Sequence, residues 1–563
     1  MRTSVHYRVI HLSLALILLC NVHTTSAQGL SPQTQARLMQ VLQTFQNDPL
    51  HPFVGGLSAA IKIDDLADWQ GATGFASRNI DGSNNLLPGG TSFTVATLSR
   101  AYSVTKTFTA ALVLELAKEG TFSLDQPVSQ FLPLNAINPG LNSAVTIRQL
   151  LAHESGYSDF TDNINFQIAV AFQPTKVWSP FESMYFSHQE NAPGVVRKYS
   201  STNYIILGAI IEAVTNKPVE QLFRERFLNP LQLSSMYLAG RELIGTHGSL
   251  ASPHDNISAL NPIFQFTGQP TFPDAFTNIR NLPFTAIETI SFTSGGIVSN
   301  ARDLSEWGSA LFGGRATSTQ TINQMVNSIS TTPDEDGDYL GYGIWRTTKI
   351  SSTDVFLGHD GSATGYRSVM FYQPERKLTL VVMTNFHGTN LYNIAKALYE
   401  ALPDFMCSTS NDNKVVVCKN GMSHCIARAA ASNMIRKGAY LGPCEGNLQN
   451  SHATIVDETE QGGQNQVTKA NVQKETIQTS VSLKAFPNPF SSETVVTVNN
   501  VKGNVQLDLV DANGQVVSKI FSGMMGKGQR NFKVSANKLP AGMYTIRMTG
   551  NNTLLSQKVL IIQ

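Results

Sequence analysis

Charge is scarce in this chain, and neither sign dominates. Only 14% of its 563 residues are Asp, Glu, Lys or Arg, and 41 basic side chains face 40 acidic ones for a net charge of +1. The chain as a whole therefore lacks the basic footprint that nucleic acid or an anionic membrane surface requires. Long apolar runs are also missing. The run Leu12 to Leu19 is too short to span a bilayer, and no other stretch approaches that length. Internal repeats are absent. So is any Gly-x-Ser-x-Gly elbow, which argues against an α/β-hydrolase. Cysteine is rare, with five in total.

What is present suits a large exported globular protein: 42% hydrophobic residues and 42 glycines. Arg2, His6 and Arg8 begin a weakly basic start, the short apolar run follows, and Thr25-Ser26-Ala27 offers a small-residue cleavage site. Residues 1–27 read as a signal peptide. Cys20 raises a lipoprotein alternative, which Leu18 and Leu19 fit poorly. The other cysteines, Cys407, Cys418, Cys425 and Cys444, share one short segment. In an exported chain they suggest two disulfides, with three possible pairings. Zinc is the rival reading, weakened by the lack of a tight Cys-x-x-Cys pair.

Residues 28–403 read as one α/β unit. Strands are expected at Gly56 to Ile63, Val355 to Leu357, Ser368 to Tyr372 and Leu378 to Met383, with a turn-rich stretch ending near Gly90. Helices are expected from Lys106 to Glu119, closed by Gly120, and over Thr146 to Ala152. Two more follow, from Asn203 to Thr215 with Thr202 as N-cap, and from Asn390 to Leu402. Residues 404–445 form the cysteine-bearing segment. Residues 446–480, rich in Gln, Asn, Thr and Glu, read as a flexible linker. Residues 481–563 alternate apolar and polar positions between turns such as Asn513-Gly514, as a small antiparallel β domain would.

Three clusters carry chemistry. Ser103 lies three residues before Lys106, so on a helix both side chains share a face. Burial would lower the lysine pKa until its neutral amine could take the hydroxyl proton. A second Ser-x-x-Lys, Ser535 to Lys538, falls in the β domain and reads as coincidence. Tyr199 directly precedes a helix, where a tyrosinate stabilised by a lysine could act as general base. Gly358-His359-Asp360-Gly361-Ser362 follows a short strand. There a backbone N–H could meet an oxyanion, and His359 could offer a hydrogen bond or positive charge to a carboxylate.

The stretch Phe93 to Ala110, containing Ser103-Val104-Thr105-Lys106, resembles the active-serine region of serine β-lactamase-related hydrolases. That family includes class C β-lactamases, D-alanyl-D-alanine carboxypeptidases, D-amino-acid peptidases and esterases. The likeness continues through Leu124 to Val128, Thr146 to Gly156, Pro193-Gly194 before Tyr199, Ser294 to Ser299, and Tyr342 to Trp345. It implies a five-stranded antiparallel sheet flanked by helices, with a mostly helical lobe inserted and the site between them. It implies that Ser103 is acylated, that Lys106 and Tyr199 shuttle its proton, and that N–H groups of Ser103 and Ser362 form the oxyanion hole. His359-Asp360-Gly361 would be the third motif, on the edge strand. No metal or organic cofactor is implied.

Two departures matter. Ser201 stands where the family's second motif usually has Asn, and a hydroxyl is shorter with one donor fewer. Amide recognition and efficient β-lactam turnover are therefore in question. His359 stands where β-lactamases usually have Lys, as in carboxypeptidase or esterase members. The expected activity is hydrolysis of an ester or a D-amino-acid-containing amide through an acyl-enzyme. The alternatives are a β-lactamase and a non-catalytic penicillin-binding-like recognition module. The tail, with Ala485 to Phe490, Leu507 to Gly514 and Leu539 to Tyr544, resembles a type IX secretion sorting domain of Bacteroidetes. It implies export to the cell surface or medium, with the type IX secretion machinery as partner.

Overall fold

A computed structural model describes residues 28–49, 52–243, 247–334, 337–407 and 413–444. It also describes residues 482–561 apart from 487–492, 500–501, 512–514, 527–528, 538, 541 and 551–552. The expected signal peptide and linker lie outside the described residues. The chain divides into two compact units, with the boundary between Glu460 and Gln461.

The first unit is built on one antiparallel sheet. Its strands are β1 (Gly56–Ile63), β2 (Ala67–Ile80), β3 (Leu86–Ser92), β4 (Tyr339–Leu340), β5 (Trp345–Thr347), β6 (Phe356–Ala363), β7 (Tyr366–Gln373) and β8 (Leu378–Thr384). They lie in the order β3-β2-β1-β8-β7-β6-β5-β4. The five-stranded sheet that the resemblance implies corresponds to the long central strands β2, β1, β8, β7 and β6, and β3 at one edge and β5 and β4 at the other extend it to eight. β2 and β3 occupy the stretch that reads as turns in sequence. Their glycines are accommodated by irregular pairing, with register shifts between Phe75 and Ser77 and between Arg78 and Ile80.

Every residue of β8 is buried. A strand covered on both faces carries a continuous apolar run rather than an alternating one. Helices α1 (Pro32–Gln46) and α6 (Leu391–Glu400) cover one face, and α5 (Ala301–Phe312) packs on the other. Beyond that second face lies the helical lobe. It contains α2 (Thr105–Lys118), α3 (Ile147–Leu151) and α4 (Ser201–Thr215), all packed in one apolar cluster.

Both α2 and α4 are apolar nearly all round, as fully surrounded helices must be. Eleven of the fourteen residues of α2 are buried, Lys106 among them. A charge-bearing side chain is thereby placed inside the core. The start of α4 differs from expectation. Its N-cap is Ser200, and the Thr202 hydroxyl instead donates to the Ser158 carbonyl at 2.8 Å. Thr146 does cap α3, sharing a capping box with Gln149.

The cysteine-bearing residues extend this core. Hairpin Lys414–Lys419 and Met422–Ala427, with helix Arg428–Arg436, buries Val415, Val417 and Ala431 in the cluster that contains α1 and α6. The cysteines pair as Cys407–Cys425 and Cys418–Cys444, so disulfides and not zinc account for all four.

The second unit has two sheets, one of three strands and one of four. Val496, Leu507, Leu509, Ile546 and Val559 are buried between them. It is the all-β, sandwich-like domain that the alternating pattern implies.

Candidate active site

Ser103 sits in a single 3-10 turn, Tyr102–Val104, that runs directly into α2. Tyr102 enters the turn at φ +44°, a left-handed conformation that strains a residue bearing a Cβ. Its hydroxyl donates to the Thr364 carbonyl at 2.9 Å, and its ring meets Tyr366 edge-on at 6.2 Å. These contacts hold the bend that turns the half-buried Ser103 toward a cleft.

Lys106, one turn on, is fully buried. Its Nζ lies 3.0 Å from Ser103 Oγ, 2.8 Å from the Ser294 carbonyl oxygen and 3.4 Å from Ser201 Oγ. Burial pulls the amine down to about 7, against the opposing pull of the Asp159 and Asp360 carboxylates. A neutral amine has two N–H donors and one lone pair. The Ser294 carbonyl can only accept, so the lone pair is left for a hydroxyl.

Tyr199 comes from the segment entering α4, and its hydroxyl lies near enough to Ser103 to interact with it. Its ring centroid is 4.8 Å from Lys106 Nζ. A phenol from far along the chain is therefore brought up to the Ser103–Lys106 pair. The tyrosinate expected from sequence is corrected here. Burial pushes the phenol well above its ordinary 10, with the nearby Ser103 hydroxyl only partly opposing it. Burial thus favours the protonated phenol at Tyr199, whereas Lys106, at about 7, gives up its proton far more readily.

His359 also departs from expectation. It lies on the inward face of β6, 1% exposed, stacked on Trp345 with ring centroids 4.0 Å apart. Burial, and next the nearby Lys106, lower it to about 3. It is neutral and offers no positive charge to a carboxylate. Gly361 has a spatial reason: a Cβ there would lie 2.1 Å from the Ala101 carbonyl oxygen. Only glycine lets β6 lie against the turn carrying Ser103. β5 pairs β6 only over Phe356 to Gly358. Among the described residues no strand covers the outer edge from His359 to Ala363, which is left open for an extended backbone.

Ser201 fills the position of the usual Asn, and its hydroxyl reaches Lys106 only at 3.4 Å. Asn203 does not compensate: its side-chain oxygen accepts from Ser155 Oγ at 2.6 Å, and its amide nitrogen is buried without a hydrogen-bond partner among the described residues and does not reach Lys106.

Sequence reading gave no role to several residues at the site. His153, at φ +59°, accepts from the Ser200 N–H at 3.0 Å and stacks on Tyr199 at 4.7 Å. Asp159 accepts from the Ser201 N–H at 2.7 Å and so fixes the start of α4. Such positioning residues leave no local pattern, because their partners are distant in sequence.

The cleft over Ser103 has a volume of about 660 Å³, and its walls include Asp159, Asp162, Asp334, Arg197 and Lys198. Both cations are engaged: Arg197 by Glu154 at 2.7 Å and Lys198 by Glu190 at 2.6 Å. Among the described residues no cation makes a direct ion pair with Asp159 or Asp162, although Lys106 acts on the first and Lys198 on the second at longer range. Among those residues, too, no helix is long and apolar enough to cross a membrane.

Comparison with known proteins agrees with this picture. A family model described as Beta-lactamase matches residues 72–404, and one described as Secretion system C-terminal sorting domain matches residues 484–563. Protein flp of Staphylococcus aureus (strain MW2) is 24% identical over 287 residues, 51% of this chain and 52% of that protein. The chain thus spans about half the length of that relative. Penicillin-binding protein 4 of Amycolatopsis lactamdurans is 26% identical over 311 residues, 54% of this chain and 76% of its own. Among solved structures, the D-stereospecific amidohydrolase of Streptomyces sp. has a TM-score of 0.51 at 25% identity, covering 65% of this chain and 98% of that one. The D-amino acid amidase of Ochrobactrum anthropi SV3 with D-phenylalanine has a TM-score of 0.53 at 22% identity, with the same coverage. The C-terminal domain is a secretion sorting domain, which marks the protein for type IX export to the surface or medium.

Proposed function

The chain belongs to the beta-lactamase family, and from that premise we propose that it is a serine hydrolase working through an acyl-enzyme on Ser103. The observation that carries this reading is the 3.0 Å contact between Lys106 Nζ and Ser103 Oγ, with the Tyr199 ring 4.8 Å from the same amine.

In this reading Ser103 Oγ attacks the substrate carbonyl carbon as its proton passes to the neutral Lys106 amine. The Tyr199 phenol donates to the leaving nitrogen or oxygen as that bond breaks, and Lys106 returns the proton to the phenol. Water then releases the acyl group by the reverse relay. The N–H groups of Ser103 and Ser362 hold the oxyanion. The open edge of β6 pairs with the substrate backbone.

The cleft charge favours one substrate class. Asp159 and Asp162, with no cation in direct contact, suit an ammonium group. His359, buried and neutral, does not supply a site for a carboxylate. We therefore favour amides or short peptides with a free N-terminal D-amino acid over substrates ending in a carboxylate, which include carboxypeptidase substrates and β-lactams. The likeness to a D-stereospecific amidohydrolase supports this choice. An ester remains the second reading, because Ser201 weakens the contact that selects an amide.

A panel of D-phenylalanine amide, p-nitrophenyl acetate, a D-alanyl-D-alanine peptide and nitrocefin decides among these. Amide turnover that vanishes in Ser103→Ala, with KM raised about tenfold or more in Asp159→Asn, is the expected result. Nitrocefin as the best substrate overturns the choice of class. No turnover and no acylation of Ser103 in folded protein overturns the enzyme reading in favour of a recognition module.

A further inference from the structure

The opposite face of β6 carries a second arrangement of reactive side chains. Strand alternation turns Ser362 away from His359 and Gly361. Its Oγ lies 3.3 Å from His387 Nε2. His387 Nδ1 lies 3.3 Å from Asp255 Oδ1.

Each member is held by a different part of the fold. Asp255 is 6% exposed, and its oxygens accept from the N–H groups of Asn256 and Gly365, both at 2.8 Å. Gly365 lies in the turn between β6 and β7, at φ +76°. The turn that follows Ser362 is thus clamped to Asp255 itself. His387 follows the end of β8, and its backbone N–H donates to the His254 carbonyl at 3.1 Å. One imidazole nitrogen therefore faces a fixed carboxylate while the other faces an exposed hydroxyl at the cleft rim. Serine–histidine–carboxylate chains are recognised by these roles rather than by chain order, and such bonds are often longer without substrate.

We propose that Ser362, His387 and Asp255 form a second nucleophilic site that takes acyl groups from small activated esters independently of Ser103. Ser362 Oγ bonds to the ester carbonyl carbon while its proton passes to His387 Nε2. The bond to the leaving oxygen breaks, and that oxygen takes the proton back from His387. Water then hydrolyses the acyl-serine by the same base. Asp255 is a positioning residue: it accepts from Nδ1–H and so leaves Nε2 free to accept.

The test uses the full-length chain carrying Ser103→Ala, with p-nitrophenyl acetate as probe. Residual p-nitrophenol release and an acetyl group on the peptide containing Ser362 are expected. Both should disappear in Ser103→Ala/Ser362→Ala. His387→Gln in the same background should slow release about 100-fold, and added imidazole should restore part of the rate in His387→Gly. Asp255→Asn should lower kcat and change the shape of the pH–rate profile, which a smaller folded fraction would leave unaltered. Equal release from the single and double serine variants, or acetyl found only elsewhere, overturns the proposal. Failure of the Ser103 reading shows separately, in wild-type amide turnover.

Discussion

Lys106 Nζ lies 2.8 Å from the carbonyl oxygen of Ser294, closer than to any hydroxyl around it. That carbonyl fixes one N–H direction of the amine and leaves the remainder of the nitrogen facing Ser103 and Ser201. The lysine is thereby oriented as well as desolvated.

The titration of this amine sets the expected pH dependence. With a pKa of about 7, Lys106 is an ammonium below that pH and cannot accept the Ser103 proton. Turnover measured as kcat/KM should fall about tenfold per unit below pH 7 and level off above it. Stability follows the same group. The unfolded chain holds the proton up to about 10.5, so it binds more protons than the folded chain between 7 and 10.5. The Lys106 contribution to stability therefore rises with pH across that window. A kcat/KM profile flat from pH 5 to 9 would count against Lys106 as the base.

Ser201→Asn restores a longer side chain with two N–H donors where Ser201 Oγ reaches Lys106 only at 3.4 Å. One added hydrogen bond to a substrate amide is worth about 1 kcal/mol, or roughly fivefold. The ratio of amide to ester kcat/KM should rise by about that factor. An unchanged ratio in folded Ser201→Asn would mean that this position does not select the substrate.

Gly361→Ala introduces a Cβ 2.1 Å from the Ala101 carbonyl oxygen, a contact no side chain can relieve. The edge strand must move away from the turn carrying Ser103. Activity should drop at least 100-fold, since displacements of about 1 Å have that effect. Acylation of Ser103 by a fluorescent penicillin or fluorophosphonate, measured on the folded variant, reports the change directly.

Reducing Cys407–Cys425 and Cys418–Cys444 frees loops with sequence separations of 18 and 26 residues. Each bridge is worth about 3 kcal/mol on the chain-entropy account. Because this hairpin completes the core against α1, thiol reduction should lower the melting temperature of the whole first unit. A melt unaffected by reductant would show that apolar packing alone holds the segment.

Much of this was legible along the chain. The β1 boundaries match the apolar run Gly56 to Ile63, and α2 differs by one residue at each end from the expected span. β6 was harder to read. Only Phe356 and Leu357 resemble a strand locally, whereas Gly358 to Ala363 reads as a turn. Pairing with β7 along its whole length overrides that local preference. β2 and β3 were hidden for the same reason.

By itself, the sequence determined which hydroxyl, amine and phenol are brought together, because short motifs on apolar helices fix their local geometry. It also set apart the C-terminal sorting domain and determined the cysteine count. Tertiary structure alone decided how the ionisable groups of the site titrate: a lysine drawn down to about 7, a tyrosine pushed up and a histidine drawn down to about 3. Desolvation depends on everything packed around a group, and that packing comes from residues scattered over the whole fold. The cysteine pairing and the meeting of Ser362 with His387 and Asp255 were likewise settled only in three dimensions.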